Sequence, residues 1–194
     1  MEFDYPEGAT PLDPNEIEGL LLTHITTRSE LDRWEQDNIN ESLAWVEQRK
    51  PKDIFNEAFM KQLHKQMFGN VWKWAGSLRK TEKNLGVPFY QISIELKKLC
   101  DDAKYWIENK TFSEDEIAAR FHHRLVFIHL FPNGNGRHAR LIADIILEYL
   151  FNKPPFTWGS ANLAVAGLDR KKYIESLVVA DRGDYELLTD FVRS

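Results

Sequence analysis

His129-Leu130-Phe131-Pro132-Asn133-Gly134-Asn135-Gly136-Arg137-His138-Ala139-Arg140 is the stretch on which the reading of this chain turns. It sets a histidine, two glycines and two arginines around a helix start. The glycines of Gly134-Asn135-Gly136 let backbone N–H groups converge without Cβ obstruction. At a helix N-terminus such a loop is an anion hole. Arg137 and Arg140, three apart on the first turn, share a face from which both guanidinium groups can bind phosphate oxygens. His129, on the other lip of the loop, has the residue type suited to take a proton from an attacking hydroxyl. Phe131 and Pro132 read as anchors of the loop.

Helical patterns flank this run on both sides. Upstream, Ser113 followed by Glu116 is a capping box that starts a helix reaching His129, nearly continuously apolar around its histidines and therefore central. Downstream, Leu141, Ile142, Ile145, Ile146 and Tyr149 give a wide apolar face from Gly136 or Arg137 to Phe151, closed by Pro154 and Pro155. Further out, helices are expected from Thr27 to Lys50, with Leu31, Trp34, Ile39, Leu43 and Val46 as its apolar positions, from Glu57 to Phe68, and from Ile94 to Asn109. Shorter ones are expected at Ala161 to Ala166, Asp169 to Ala180 and Tyr185 to Val192. Pro6, Gly8, Pro11 and Pro14 exclude a continuous helix in the first residues, leaving an extended lead-in and a short helix starting near Pro14. Residues 77 to 92 break helical periodicity, and Val87 with Phe89-Tyr90 favours extended structure, so a β-hairpin or extended flap centred on Lys83 to Gly86 is expected. The fold class is therefore all-α with a small β-hairpin flap beside the site.

Composition supports one domain spanning 1–194, with residues 1–26 as lead-in, because no linker interrupts 194 residues that are 43% hydrophobic and 28% charged. A net charge of -5 gives no global reason to bind nucleic acid or an anionic membrane surface. The single cysteine, Cys100, cannot form an internal disulfide, and neither a signal segment nor a membrane-length apolar run is found. A cytoplasmic protein is expected.

Other features carry less. His122, His123, His129 and His138 lack the i, i+4 histidine pair with intervening glutamate of zinc proteases, and His123 reads as a satisfied core histidine. Trp72, Trp74, Trp106 and Trp158 read as packing, with Trp158 a weak candidate for a nucleotide pocket. Arg182-Gly183-Asp184 reads as a turn between helices.

The central run resembles the Fic family motif H-x-F-x-[D/E]-G-N-G-R-x-x-R at His129, Phe131, Gly134, Asn135, Gly136, Arg137 and Arg140. Trp74-Ala75-Gly76-Ser77-Leu78-Arg79 and Ala119-Arg120-Phe121-His122-His123-Arg124-Leu125 extend the resemblance to roughly residues 14–193. It implies a mainly helical fold and transfer of AMP from ATP to a Ser, Thr or Tyr hydroxyl of a protein target, with release of pyrophosphate. His129 would then be the base, Gly134, Asn135 and Gly136 the phosphate cradle, and Arg137 and Arg140 the holders of the β and γ phosphates. The flap residues Lys83, Asn84, Leu85, Gly86 and Val87 would position the target by strand addition.

Two departures matter. Asn133 stands where the family usually carries the carboxylate that binds Mg²⁺, so the metal would be held by a neutral amide oxygen. Leu130 replaces a common proline, with little effect expected. Glu16-Ile17-Glu18-Gly19 resembles the end of the family's inhibitory helix, [S/T]-x-x-x-E-[G/N], although Pro14 occupies its first position. Glu18 would pair with Arg140 and compete with ATP, so Glu18→Gly is expected to raise transfer or self-modification. The alternatives are a Doc-like kinase or other phosphate-group transferase, against which Gly136 argues, and a nucleotide-binding regulatory protein with weak catalysis, which Asn133 favours. The target, an antitoxin partner and self-association are left open.

Overall fold

Eight α-helices carry the described part of the chain, and each begins or ends for a local reason. The computed structural model describes residues 10–160, 163 and 167–194. The helices are α1 (Pro14–Ile17), α2 (Arg28–Arg49), α3 (Glu57–Phe68), α4 (Ile92–Asn109), α5 (Glu114–Ile128), α6 (Asn135–Ile145), α7 (Leu168–Ala180) and α8 (Glu186–Arg193). Thr27 starts α2 with a reciprocal capping box: Glu30 N–H donates to its hydroxyl and the Glu30 carboxylate accepts from Thr27 N–H. Asn56 caps α3 by accepting from Phe59 N–H at 2.8 Å, and Ser113 caps α5 by accepting from Glu116 N–H at 3.2 Å. Of the helix expected at Ala161 to Ala166, only Leu163 falls among the described residues.

Helix α5 packs between α4 and α6, while α2 lies on α3 and α7 on α8. Phe121, Ile128, Ile142, Ala143 and Ile146 are fully buried along the α5–α6 seam, within one apolar cluster that runs from Leu12 to Val192. Burial of such side chains contributes roughly 1.5–3 kcal/mol each, so this seam is the rigid base from which the connecting loop projects. Past Ile145 the helix widens into a π turn, Ile146–Leu150, before the chain reverses at Asn152. No helix among the described residues is long and apolar enough to cross a membrane.

Two expectations are corrected. The apolar spacing in α2 does not select its buried face: Trp34 and Leu43 are exposed, while Leu31, Glu35, Asn38, Ser42 and Val46 are buried. The inner row is largely polar because its partners are polar. Asn38 donates to the Gln66 carbonyl and accepts from Asn70 N–H, and Glu35 accepts from the Trp72 indole at 2.7 Å.

The β-hairpin is also not found. Among the described residues the isolated bridge between Leu20 and Trp72 is the only strand-type pairing, and residues 77–88 form an irregular loop. Arg79 explains it. Its buried guanidinium gathers the loop's carbonyls inward, donating to Thr81 O at 2.9 Å and to Val87 O. Those oxygens point to a cation in the middle of the loop and not across to a second strand.

The lead-in runs beside residues 71–74, with Leu21 N–H donating to Val71 O at 2.8 Å and Lys73 N–H to Gly19 O at 2.9 Å. A Cβ at Gly19 would lie 2.6 Å from the Trp74 ring, so the glycine of Glu18-Gly19 is required by this packing.

Candidate active site

The loop between α5 and α6 is held from four directions. Helix α5 ends on His129 in the left-handed conformation, φ 60 and ψ 68, uncommon for a residue with a Cβ and of the kind that persists only where the surroundings impose it. Here Arg79 imposes it, donating through Nε to the His129 carbonyl at 2.7 Å. Asn135, 5% exposed, accepts from Phe131 N–H at 2.9 Å and donates to Phe131 O at 2.8 Å. Its side chain therefore ties the loop together from within, while the residue also borders the cavity over the start of α6.

His64 is the third support and had no place in the sequence reading. It donates from Nε2 to the Asn133 carbonyl at 3.1 Å, accepts at Nδ1 from Gly76 N–H at 3.0 Å, and stacks on Phe131 with ring centroids 3.7 Å apart. Full burial holds its pKa well below the ordinary histidine value, so it acts as a neutral strut. A signal for it existed in its position one turn from Met60 and Met67 on the apolar face of α3. Gly134 fits beneath these rings because it has φ 77 and no Cβ; a Cβ there would sit 2.7 Å from Phe68.

Glu35 is the fourth support. Its buried carboxylate receives the Arg137 guanidinium at 2.7 Å, so α2 reaches the central motif. Arg137 also lies over the Phe68 ring at 4.8 Å. Arg140 lies by Tyr173, with its guanidinium 5.8 Å from that ring. The pairing expected between Glu18 and Arg140 is not seen among the described residues: Glu18 is exposed and makes no ion pair there. Lys83 engages Glu16 at 2.5 Å and Asp13 at 2.9 Å, which ties α1 to the flap loop.

These groups open onto a cavity of about 410 Å³, within the range of small-molecule sites. Its floor is His129, Asn133, Gly134, Gly136, Arg137 and Arg140. Its apolar wall comes from Val126, Phe127, Leu163, Ile174, Leu177 and Val178. Gly136 faces this space, and a Cβ on it would meet only the Arg140 Nη1 at 3.7 Å. The protein itself therefore does not need glycine there. A glycine costs a helix about 1 kcal/mol relative to alanine, and close approach of a ligand to the backbone is the physical reason to carry it.

The flap residues divide. Leu85 and Gly86 line the cavity, and a Cβ at Gly86 would touch the His129 Cβ at 2.6 Å. Lys83 turns to the lead-in, Val87 is buried and Asn84 is exposed. Trp158 does not line the cavity; its indole donates to Asp144 at 3.1 Å. His123 does line it and is held by Asp181 at 2.9 Å and Tyr185 at 3.0 Å, as a satisfied histidine should be.

Burial, followed by the charge of Arg79, pushes the His129 pKa down to about 4, while the Val126 carbonyl acts in the opposite sense. The ring is thus neutral at pH 7. With its proton on Nδ1, Nε2 accepts the Thr10 hydroxyl at 3.0 Å.

Asn133 is the position at which the family resemblance implies Mg²⁺. Its Oδ1 accepts from Gly134 N–H at 2.7 Å and lies 3.5 Å from Arg137 Nη2, while its Nδ2 donates to the Thr10 carbonyl at 3.0 Å. Mg²⁺ in nucleotide sites draws most of its oxygens from substrate phosphates and water, with one or two from the protein, so Asn133 would offer at most one neutral ligand. Asn133 Oδ1 is a single neutral oxygen already engaged by Gly134 N–H, and the positive charge lining the cavity comes from Arg137 and Arg140.

Comparison with known proteins agrees with this architecture. The sequence pattern described as the Fic/DOC family matches residues 54–147. Protein adenylyltransferase fic-1 of Caenorhabditis briggsae is 32% identical over 137 residues, 68% of this chain and 25% of that protein. Protein adenylyltransferase Fic of Nematostella vectensis is 27% identical over 222 residues, 98% of this chain and 50% of that protein. The crystal structure of BepC with bound AMPPNP from Bartonella tribocorum superposes with a TM-score of 0.70 over 97% of this chain and 93% of that one, at 17% identity. The chain belongs to the Fic/DOC family. It spans between 25% and 50% of the length of these two curated relatives.

Proposed function

We propose that this chain is a nucleotidyltransferase that moves AMP from ATP onto a hydroxyl side chain of a protein. The observation that carries the reading is the 3.0 Å contact between His129 Nε2 and a threonine hydroxyl, in the same cavity as the N-terminus of α6. A base within hydrogen-bond reach of a hydroxyl, beside an anion-binding helix end, meets the geometric demand of such a transfer. The names of the relatives supply the group transferred and its protein acceptor, and the AMPPNP in the BepC structure supports ATP as the donor.

In this reading the purine packs on the wall of Phe127, Ile174 and Val178, and the phosphates lie over Gly134 to Gly136 within reach of Arg140. The target oxygen attacks the α phosphorus, its proton passes to Nε2 of His129, and the bond to the β-phosphate oxygen breaks to release pyrophosphate. Positioning and fixed dipoles supply most of the acceleration, since neither needs to reorganise during the step. Arg137 is already committed to Glu35, so Arg140 carries more of the phosphate charge than its partner. Leu85 and Gly86 border the path by which a target segment enters.

The test is incubation with ATP labelled in the α phosphate and a cell lysate, comparing wild type with His129→Ala. Loss of the base is expected to lower incorporation by about 10²–10⁴-fold. Equal incorporation refutes the reading. Label retained from the γ phosphate instead would mark a kinase.

A second reading, nucleotide binding with little catalysis, is favoured by the neutral Asn133 carboxamide, whose Oδ1 is already engaged by Gly134 N–H. Calorimetry separates the two: ATP binding indifferent to Mg²⁺, with no modified protein by mass spectrometry, supports the regulator.

A further inference from the structure

The lead-in does what a target would do. Thr10 is a small polar residue at the edge of a proline-rich segment, yet it is 7% exposed and its hydroxyl meets His129 Nε2 at 3.0 Å. We propose that Thr10 is itself an acceptor of the adenylyl group, presented to His129 in cis by the N-terminal segment. This rests on the transferase reading above.

Three further side chains, Asn133, Lys83 and Thr81, hold the segment in place. The Asn133 carboxamide donates to the Thr10 carbonyl at 3.0 Å. A carboxylate at position 133, as the family motif usually has, offers no donor there and repels that carbonyl, so the departure in the motif matches the segment lying over it. Lys83, with a side chain 3% exposed, reaches the Pro11 carbonyl at 3.4 Å and the carboxylates of Asp13 and Glu16. The Thr81 hydroxyl donates to Asp13 at 3.1 Å. The flap loop thus grips residues 11–16 with side chains, where strand pairing to a foreign peptide was expected.

Thr10, His129 and the Gly134–Gly136 loop line one cavity, so a nucleotide over the helix end faces this hydroxyl. The step balances as written for any target: the Thr10 oxygen bonds to the α phosphorus of ATP, the bond from that phosphorus to the pyrophosphate oxygen breaks, and the hydroxyl proton goes to His129. The product is an O-adenylyl threonine and pyrophosphate. No further reactant is required.

The experiment uses the full chain with α-labelled ATP in magnesium buffer, followed by peptide mapping, with and without lysate. Label is expected on the peptide holding Thr10, at a rate per molecule independent of protein concentration. Thr10→Ser is expected to keep it, and His129→Ala to lower it by about 10²-fold or more. Thr10→Val is expected to abolish label on that peptide and to increase label on lysate proteins, because the site has lost its own occupant. Label on lysate proteins or elsewhere in the chain with Thr10 unmodified overturns this proposal and leaves the transferase reading standing. Label on Thr10 whose rate rises with concentration overturns the cis mechanism. No label on any protein, with any variant, overturns the transferase reading and this proposal with it.

Discussion

The Arg79 guanidinium donates to the carbonyl of His129 at 2.7 Å, joining the flap loop to the last turn of α5 through one buried cation. The same group serves Thr81 O and Val87 O, so a single side chain sets both the loop's shape and the backbone conformation of the candidate base. Arg79→Met keeps the apolar stem and removes every donor, leaving buried carbonyls unpaired. A destabilisation of roughly 2–4 kcal/mol is expected in urea titration. Arg79→Lys is expected to recover only part of this, since an ammonium lacks the planar fork that spans separate carbonyls.

Gly136→Ala separates stability from function. The added methyl meets ordinary contact with Arg140 at 3.7 Å and improves helix propensity, so a gain of about 0.5–1 kcal/mol in folding stability is expected. The same methyl stands in the space over the helix end. ATP affinity is expected to fall by about tenfold, read by calorimetry on the variant that melts higher.

Glu35→Gln tests the link between α2 and the motif. The glutamine still accepts from the Trp72 indole but no longer balances Arg137. Because Glu35 is buried and Arg137 partly exposed, a loss of about 1–3 kcal/mol is expected, smaller than for a fully buried pair. Thermal denaturation of the double variant with Arg137→Gln should show the two losses to be strongly non-additive.

Acid stability follows from the buried histidines. Burial lowers the pKa of His122 and His138 to about 3 and of His129 to about 4, and lowers that of His64 as well. As pH falls below about 6.5 the unfolded chain takes up protons on these rings that the folded chain does not. Stability is therefore full above that value and declines as pH drops toward 4. Asp144 opposes one of the four, because burial raises its pKa to about 6 and the folded form gains a proton first. The histidines outnumber the one opposing carboxyl, so the net effect of acid is destabilising. Chemical denaturation between pH 7 and 4.5 should trace this fall; a flat profile would mean that the imidazoles are solvated.

Helix boundaries set by caps were legible in the chain, as at Thr27, Ser113 and the Glu57–Phe68 helix. Periodicity failed in α2, where Glu35, Asn38 and Ser42 take the inner positions that an apolar count assigns to Trp34 and Leu43. A buried polar row pays its desolvation through named partners, and spacing does not name them. The hairpin expected around Lys83 failed for the same reason, since an arginine at the loop's centre replaced the second strand as the acceptors' partner.

By itself the sequence determined the helical class and placed a histidine and a glycine-rich turn at the junction of two helices, because those features lie within His129 to Arg140 and need only local geometry. Only the tertiary structure decided what each motif residue faces. Asn135 turns inward, Arg137 is taken by Glu35 from 102 positions away, and Thr10 reaches His129 across 119. Hydrogen-bonding groups are satisfied by whichever partner the packed core brings within about 3 Å, and that choice is made by the whole fold.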